Sequence, residues 1–230
     1  MRVAVAGALG RMGSLAREAL VYTGEYCCGF ARSADAERCI FDSLEEVFAQ
    51  GPDALLDLTT QPASFEIACS AVGHGVPTVV GASGWTGEER AAFRSIVDRH
   101  NVGAIIVPNF SLGAMLAMRF AQEAARFFPD VEIIELHHSG KKDKPSGTAS
   151  ETAARVERAC GRAPVIHSVR LPGLLAHHEV LLGRAGELLT IRHDSFTRDS
   201  FVAGMLAAVR AVVGRRGLSI GLDSILEDDG

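Results

Sequence analysis

Residues 135 to 149 read ELHHSGKKDKPSGTA, which gathers two adjacent histidines, three lysines, an aspartate and a Ser-Gly-Thr turn in one short stretch. The apolar run before it, VEII (131 to 134), marks a strand. Its period-2 alternation sends Glu135 and His137 to one face and His138 to the other, so the two histidines should not share one job. SGKKDKPSGTA then turns into a helix, with Thr148 and Glu151 as the expected capping pair, and the amides near Ser146, Gly147 and Thr148 can hold an anion. Lysines ahead of that terminus add positive potential, and crowding of cations eases removal of a proton from one of them, as a general acid requires. The spacing points to an anionic-substrate site made of His137, His138, Lys141 and the Ser146 to Thr148 amides, with Lys142 and Lys144 as flanking charge.

A second constellation lies at the start of the chain. GALGRMG places Gly7, Gly10 and Gly13, with Ala8, Leu9, Arg11 and Met12 between them, at a turn from a strand into a helix. There, missing side chains let backbone approach a pyrophosphate, and helix amides face its charge. The spacing is G-x-x-G-x-x-G rather than the usual G-x-G-x-x-G, so its context carries the assignment. Where an NAD-specific site would offer an acidic side chain to the ribose, the chain has Arg32 and Ser33, which suit a 2′-phosphate better. Asp57 to Thr59, Gly81 to Gly84 and Pro108 to Ser111 each follow an expected parallel strand. They should gather at the carboxyl edge of the sheet as a nicotinamide and substrate mouth.

The elements that must position these residues alternate strand and helix through the first half. Strands are expected at 2 to 6, 26 to 31, 54 to 58, 76 to 80 and 103 to 107, with helices between them, two opened by the capping-box pairs Ser43/Glu46 and Thr86/Glu89. That order argues for a doubly wound parallel sheet. A long apolar-faced helix over 108 to 128 follows, then the 131 to 138 strand, a helix ending near Cys160, and three strands with no helix between them, as in a mixed or antiparallel sheet. One more amphipathic helix covers 199 to 213.

A chain of 230 residues with 47% hydrophobic and 22% charged residues has a core, and a net charge of -5 offers no field for nucleic acid. The five cysteines show no metal-site spacing, so reduced thiols and no metal are expected. MRVAVAG lacks the apolar run of a signal peptide and no stretch is long enough to span a membrane, which points to a cytoplasmic protein.

GALGRMG, DLTTQP, PNFSLG and especially EIIELHHSGKKDKPSGTA resemble the 4-hydroxy-tetrahydrodipicolinate (dihydrodipicolinate) reductase family of lysine biosynthesis by the diaminopimelate route, nearly end to end. The resemblance implies an α/β fold: a Rossmann-like parallel-sheet domain plus a smaller α+β domain with a mixed sheet. It also implies a homotetramer and an NADPH- or NADH-dependent oxidoreductase acting on a small dicarboxylate. Arg198-x-x-Phe201 matches the family's return junction, which makes the dinucleotide-binding domain discontinuous, 1–107 and 199–230, around a substrate-binding and oligomerisation domain, 108–198. Hinges are expected near Val107 and Arg198.

Carried over by position, Gly7 to Gly13 hold the dinucleotide, beside the Arg32 already assigned from its place after the turn, and Gly81, Ala82, Ser83, Pro108, Asn109, Phe110 and Ser111 line the nicotinamide side. His138, Lys141, Ser146, Gly147 and Thr148 bind substrate carboxylates, Lys141 donates the proton and His137 assists. The chain departs from the pattern at Ala82, which lacks a usual hydroxyl, at Met115 and Lys144, and at Ala176-His177-His178, where Gly-Glu-His is usual and His178 reads as structural or interfacial. The alternatives are an aspartate-type Rossmann amino-acid dehydrogenase and a non-catalytic NADPH sensor. The His-His-x-x-Lys and Pro-Ser-Gly-Thr run argues against the first, and intact His137, Lys141 and Thr148 against the second.

Overall fold

The computed structural model describes residues 1–226. It contains two compact units, one formed by Met1–Phe110 together with the chain from Phe201 onward, the other by Ser111–Ser200. The expected range 199–230 ends in residues 227–230, which lie outside the described residues.

The first unit opens with β1 (Val3–Ala6), whose four residues are all buried, as expected of a strand covered on both faces. Then come α1 (Arg11–Tyr22), β2 (Tyr26–Phe30), β3 (Ile40–Phe41), α2 (Leu44–Ala49), β4 (Ala54–Asp57), α3 (Ala63–Gly73), β5 (Thr78–Val80), α4 (Gly87–His100) and β6 (Gly103–Ile106). The capping box at α4 is present: Glu89 N–H donates to Thr86 Oγ1 (3.1 Å) and Thr86 N–H to the Glu89 carboxylate (2.7 Å). The one expected at Ser43 is not, because the Ser43 hydroxyl donates to the Glu45 carboxylate instead (2.8 Å).

In the second unit, α5 (Leu112–Ala125) is shorter than the expected helix, since Pro108 to Phe110 stay outside it and Ser111, in an extended conformation, caps it. It is followed by β7 (Asp130–His137), α6 (Gly147–Cys160), β8 (Val165–Arg170), β9 (Ala176–Arg184) and β10 (Glu187–Ser195). The α6 cap also differs from expectation. Ser146, not Thr148, is the N-cap and accepts from Ala149 N–H at 3.2 Å, which puts Thr148 inside the first turn.

The chain then returns to the first unit through a 3-10 turn (Arg198–Phe201), α7 (Val202–Val212), β11 (Gly217–Ile220) and α8 (Asp223–Leu226). The two-residue β3 and the edge strand β11 were not expected from the sequence, β3 being too short to display a period. With them the sheet has seven parallel strands in the order β11-β6-β5-β4-β1-β2-β3.

Apolar residues of α2, α3 and α4, among them Val47, Ile67, Ala71, Val72, Phe93 and Val97, bury one face of that sheet. Helices α1 and α7 pack on its strands as well, with Leu20, Met205, Ala208 and Val209 inaccessible to water. Gly204 lets α7 approach closely, because a Cβ there would lie 1.9 Å from the Phe110 carbonyl oxygen.

The second unit's sheet has the order β10-β9-β7-β8, with β7 and β8 parallel and the other pairs antiparallel. Ala121 and Ala125 of α5 and Ala149 and Val156 of α6 cover the face that carries Val131, Ile133, Val180 and Leu182. The opposite face presents Val165 and Leu188 to solvent.

Candidate active site

In the first unit, β1 ends in a turn built from absent side chains. Gly7 has φ +78°, a backbone region that favours glycine, and a Cβ on it would meet the Leu58 carbonyl oxygen at 2.9 Å. A Cβ on Gly13 would come within 2.0 Å of the Gly7 carbonyl oxygen, so helix and strand can meet only without it. Gly7 and Ala8 N–H both donate to Phe30 O (2.9 and 3.1 Å), which seats the turn against the end of β2. Gly10 is the α1 N-cap and provides no side-chain acceptor for the first helical amides, which belong to Arg11, Met12 and Gly13. A bare turn opening into uncapped amides fits a dinucleotide pyrophosphate. Leu9, Gly10 and Arg11 are exposed, Met12 half-buried and Ala8 buried, and Arg32 is exposed just past β2.

Two further segments occupy the same carboxyl edge. Asp57 is fully buried and accepts from Thr59 N–H (2.9 Å), Thr59 Oγ1 and Ser64 Oγ (both 2.5 Å), which makes it the organiser of the turn after β4. Burial raises its pKa despite the bonds from Ser64 and Thr59. Gly81 is required by a neighbour: a Cβ on it would meet the Phe110 ring at 2.6 Å. Ala82 is buried among Trp85, Phe93 and Ile106, so the hydroxyl it lacks relative to the family pattern would enter an apolar pocket. Ser83 and Pro108 are exposed and Asn109 is half-buried.

In the second unit, the face that β7 turns toward α6 changes from apolar to ionic along the strand. Val131 and Ile133 are followed by Glu135, which has no exposed surface. A buried carboxylate needs a cation and further donors. Arg170 supplies a two-pronged bond (Nη1 to Oε2 2.9 Å, Nη2 to Oε1 2.7 Å), Ser146 N–H donates to Oε1 at 3.3 Å, and His137 Nδ1 bonds Oε2. Burial alone pushes the Glu135 pKa up, but Arg170, Ser168 and His137 outweigh it and hold it below the usual range. His137 moves down as well, first by burial, then through Lys141 and Arg170, against the pull of Glu135. In the neutral ring the proton goes to Nδ1, facing the carboxylate, and Nε2 is left as the acceptor.

The Lys141 ammonium is paired with Asp143 Oδ2 at 2.8 Å, so its nearest charge is a carboxylate rather than the crowd of cations expected from spacing. Lys142 and Lys144 point into solvent. Gly147 and Thr148 lie in the first turn of α6, Thr148 half-buried and Gly147 exposed, while His138 is exposed beyond the end of β7. Ser146 and Ser111 are both buried and act as helix caps, and Ser111 Oγ also bonds His193 Nε2 at 3.2 Å.

His178 is buried in β9. Thr152 Oγ1 gives its proton to Thr148 O (2.8 Å), so it accepts from His178 Nε2–H (3.1 Å). Burial, with His193 nearby, lowers the His178 pKa to about 4, consistent with a structural histidine. The sequence reading missed Arg170; the one available signal was the buried Glu135, which demanded a cation without saying which.

Family models match almost the whole chain: "Dihydrodipicolinate reductase, N-terminus" over residues 1–110 and "Dihydrodipicolinate reductase, C-terminus" over 113–226. The 4-hydroxy-tetrahydrodipicolinate reductase of Enterococcus faecalis is 40% identical, covering 98% of this chain and 100% of its own. That of Streptomyces griseus is 41% identical, covering 99% and 98%. The dipicolinate-bound dihydrodipicolinate reductase of Paenisporosarcina sp. TG-14 superposes with a TM-score of 0.88 at 33% identity over 98% of this chain and 99% of that one. The chain belongs to the dihydrodipicolinate reductase family.

Proposed function

We propose that the chain reduces 4-hydroxy-tetrahydrodipicolinate to tetrahydrodipicolinate with NADPH or NADH, Lys141 giving the proton and His137 assisting. The observation that carries this reading is the Glu135–His137 pair beside the Lys141 loop and the α6 N-terminus, in a chain related to the reductases along its whole length. A two-carboxylate substrate calls for separate anion holders. The Lys141 ammonium, exposed His138 and the Ser146, Gly147 and Thr148 turn at the α6 N-terminus supply them.

Gly7 to Gly13 would hold the dinucleotide phosphates, Arg32 a 2′-phosphate, and Gly81 to Ser83 with Pro108 to Ser111 the nicotinamide side. The bound nicotinamide supplies the hydride. Neutral His137 offers a lone pair at Nε2, so it can orient or relay but has no proton to give there; the ammonium of Lys141 does. The substrate domain is proposed to assemble the chain into a homotetramer, with the sheet face bearing Val165 and Leu188 as the buried surface. Among the described residues no helix is long and apolar enough to cross a membrane.

The test is nicotinamide oxidation on freshly generated 4-hydroxy-tetrahydrodipicolinate by wild type and Lys141→Ala. Wild-type turnover is expected, with kcat about 10²- to 10⁴-fold lower in the variant. NADPH binding without wild-type turnover would favour a sensor.

A further inference from the structure

Arg170 ends β8 directly opposite His137 in β7, and its side chain is 6% exposed. Besides the two bonds to Glu135, Nη2 donates to the Asp143 carbonyl oxygen and Nη1 to the Val169 carbonyl oxygen, each at 2.7 Å. The guanidinium therefore touches two branches at once. One runs through Glu135 to the His137 ring. The other runs through the backbone of Asp143, whose carboxylate holds the Lys141 ammonium.

We propose that Arg170 is the positioning residue of the proton-handling site: through Glu135 it fixes the ring of His137, and through the Asp143 carbonyl it fixes the loop that holds Lys141. The inference rests on the reductase reading for its kinetic consequence, but not for its structural one. A carboxylate taken from water and left without its cation is strongly disfavoured, so Glu135 keeps its place and charge only while Arg170 is there. A planar guanidinium can satisfy both carboxylate oxygens and a carbonyl in one plane, whereas lysine offers a point charge that serves one branch at a time. The groups facing His137 are Glu135 on its own strand, Arg170 on β8 and Lys141 on the loop, with His178 of β9 within electrostatic reach.

Arg170→Lys and Glu135→Gln are compared with wild type in steady-state kinetics and by ¹⁵N NMR of the histidine rings near neutral pH. In Arg170→Lys, kcat should fall by at least about tenfold while KM for NADPH, set in the other unit, stays within about twofold. Glu135→Gln can turn an amide N–H toward Nδ1, so His137 should shift from the Nδ1–H toward the Nε2–H tautomer, a change that loss of stability alone does not produce. The proposal is overturned if Arg170→Lys keeps kcat within about twofold of wild type, or if the His137 tautomer is the same in Glu135→Gln. A wild type that never turns over would sink the reductase reading, while the tautomer comparison would still decide the positioning role. Should Arg170→Lys fail to fold, Glu135→Gln decides by its kcat and tautomer together.

Discussion

The glycine turn of the first unit and the His-Lys loop of the second are both proposed as anion sites and both lead into helix N-termini, yet they are built by opposite means. The turn is made by omission: Gly7, Gly10 and Gly13 leave backbone where side chains would collide, and no charged group is buried there. The loop is made by commitment, since Glu135, Arg170 and His137 are largely withdrawn from water, with Glu135 bonded to both of the others. A site of the first kind should fail through sterics and be indifferent to pH. One of the second kind should tolerate small changes of volume but respond to charge.

The sharpest break is Gly13→Ala. Its Cβ would lie 2.0 Å from the Gly7 carbonyl oxygen, and the contact is backbone, which cannot swing aside. The expected outcome is a loss of about 3 kcal/mol or more of stability and of NADPH binding, checked by urea unfolding and by nucleotide titration. Unfolding within error of wild type would mean that β1 and α1 are not as close as the turn requires.

The glycine turn was legible in the sequence because its chemistry is local, all within seven consecutive residues between a strand and a helix. ELHHSGKKDKPSGTA was legible for the same reason, and period-2 alternation correctly put Glu135 and His137 on one face. What could not be read was any bond across the sheet. Arg170 is 35 residues from Glu135, and only the β7–β8 register brings them together. The helix caps show the same limit: Ser43, Glu46, Thr148 and Glu151 have the right types and spacing, but Ser43 is diverted to Glu45 and α6 starts two residues early, at the Ser146 cap. Strands β3 and β11 are legible only through their pairing with β2 and β6.

The pH contrast comes next in size. His178 has a folded pKa of about 4 against an ordinary value of 6.5. The unfolded chain therefore takes up a proton first as pH falls, and the stability present above pH 6.5 is lost on the way to pH 4. Between pH 7 and 5 the loss amounts to about 2 kcal/mol, and His178→Gln should remove most of that dependence in urea titrations. Glu135 has the same sign at lower pH, its stabilisation present above the ordinary carboxylate pKa and lost as pH falls through its depressed value. Asp57 in the first unit has the opposite sign: burial raises its pKa, so its contribution is full below the ordinary carboxylate range and fades as pH rises through the folded value. Amide exchange at pH 5 should accordingly show β7 and β9 losing protection before β1 and β4. The reverse order would contradict the contrast.

Arg32 carries a smaller expectation. It is exposed past β2, so a 2′-phosphate on it would stay partly solvated and gain about 1.5 kcal/mol, roughly tenfold. Arg32→Ala should lower the NADPH/NADH ratio of kcat/KM by about that factor and leave kcat with NADH unchanged. An unchanged ratio would remove Arg32 from nucleotide choice.

The smallest effect separates commitment from mere proximity within the loop itself. Lys142 and Lys144 adjoin Lys141 in sequence, but both are exposed, whereas Lys141 is half-buried and ion-paired with Asp143. An exposed cation acts on a bound dianion only through water and salt, with a screening length of about 8 Å at physiological ionic strength. Lys142→Ala with Lys144→Ala should therefore change kcat/KM by less than about threefold near 0.15 M salt. The effect should widen at low ionic strength, where long-range attraction speeds encounter with the substrate. Measuring kcat/KM across a salt series checks both statements together. A large loss that salt does not alter would place one of these lysines in direct contact with substrate and make the loop a three-lysine site. A small, salt-sensitive change leaves Lys141 as the cation that the loop's buried framework is built to hold.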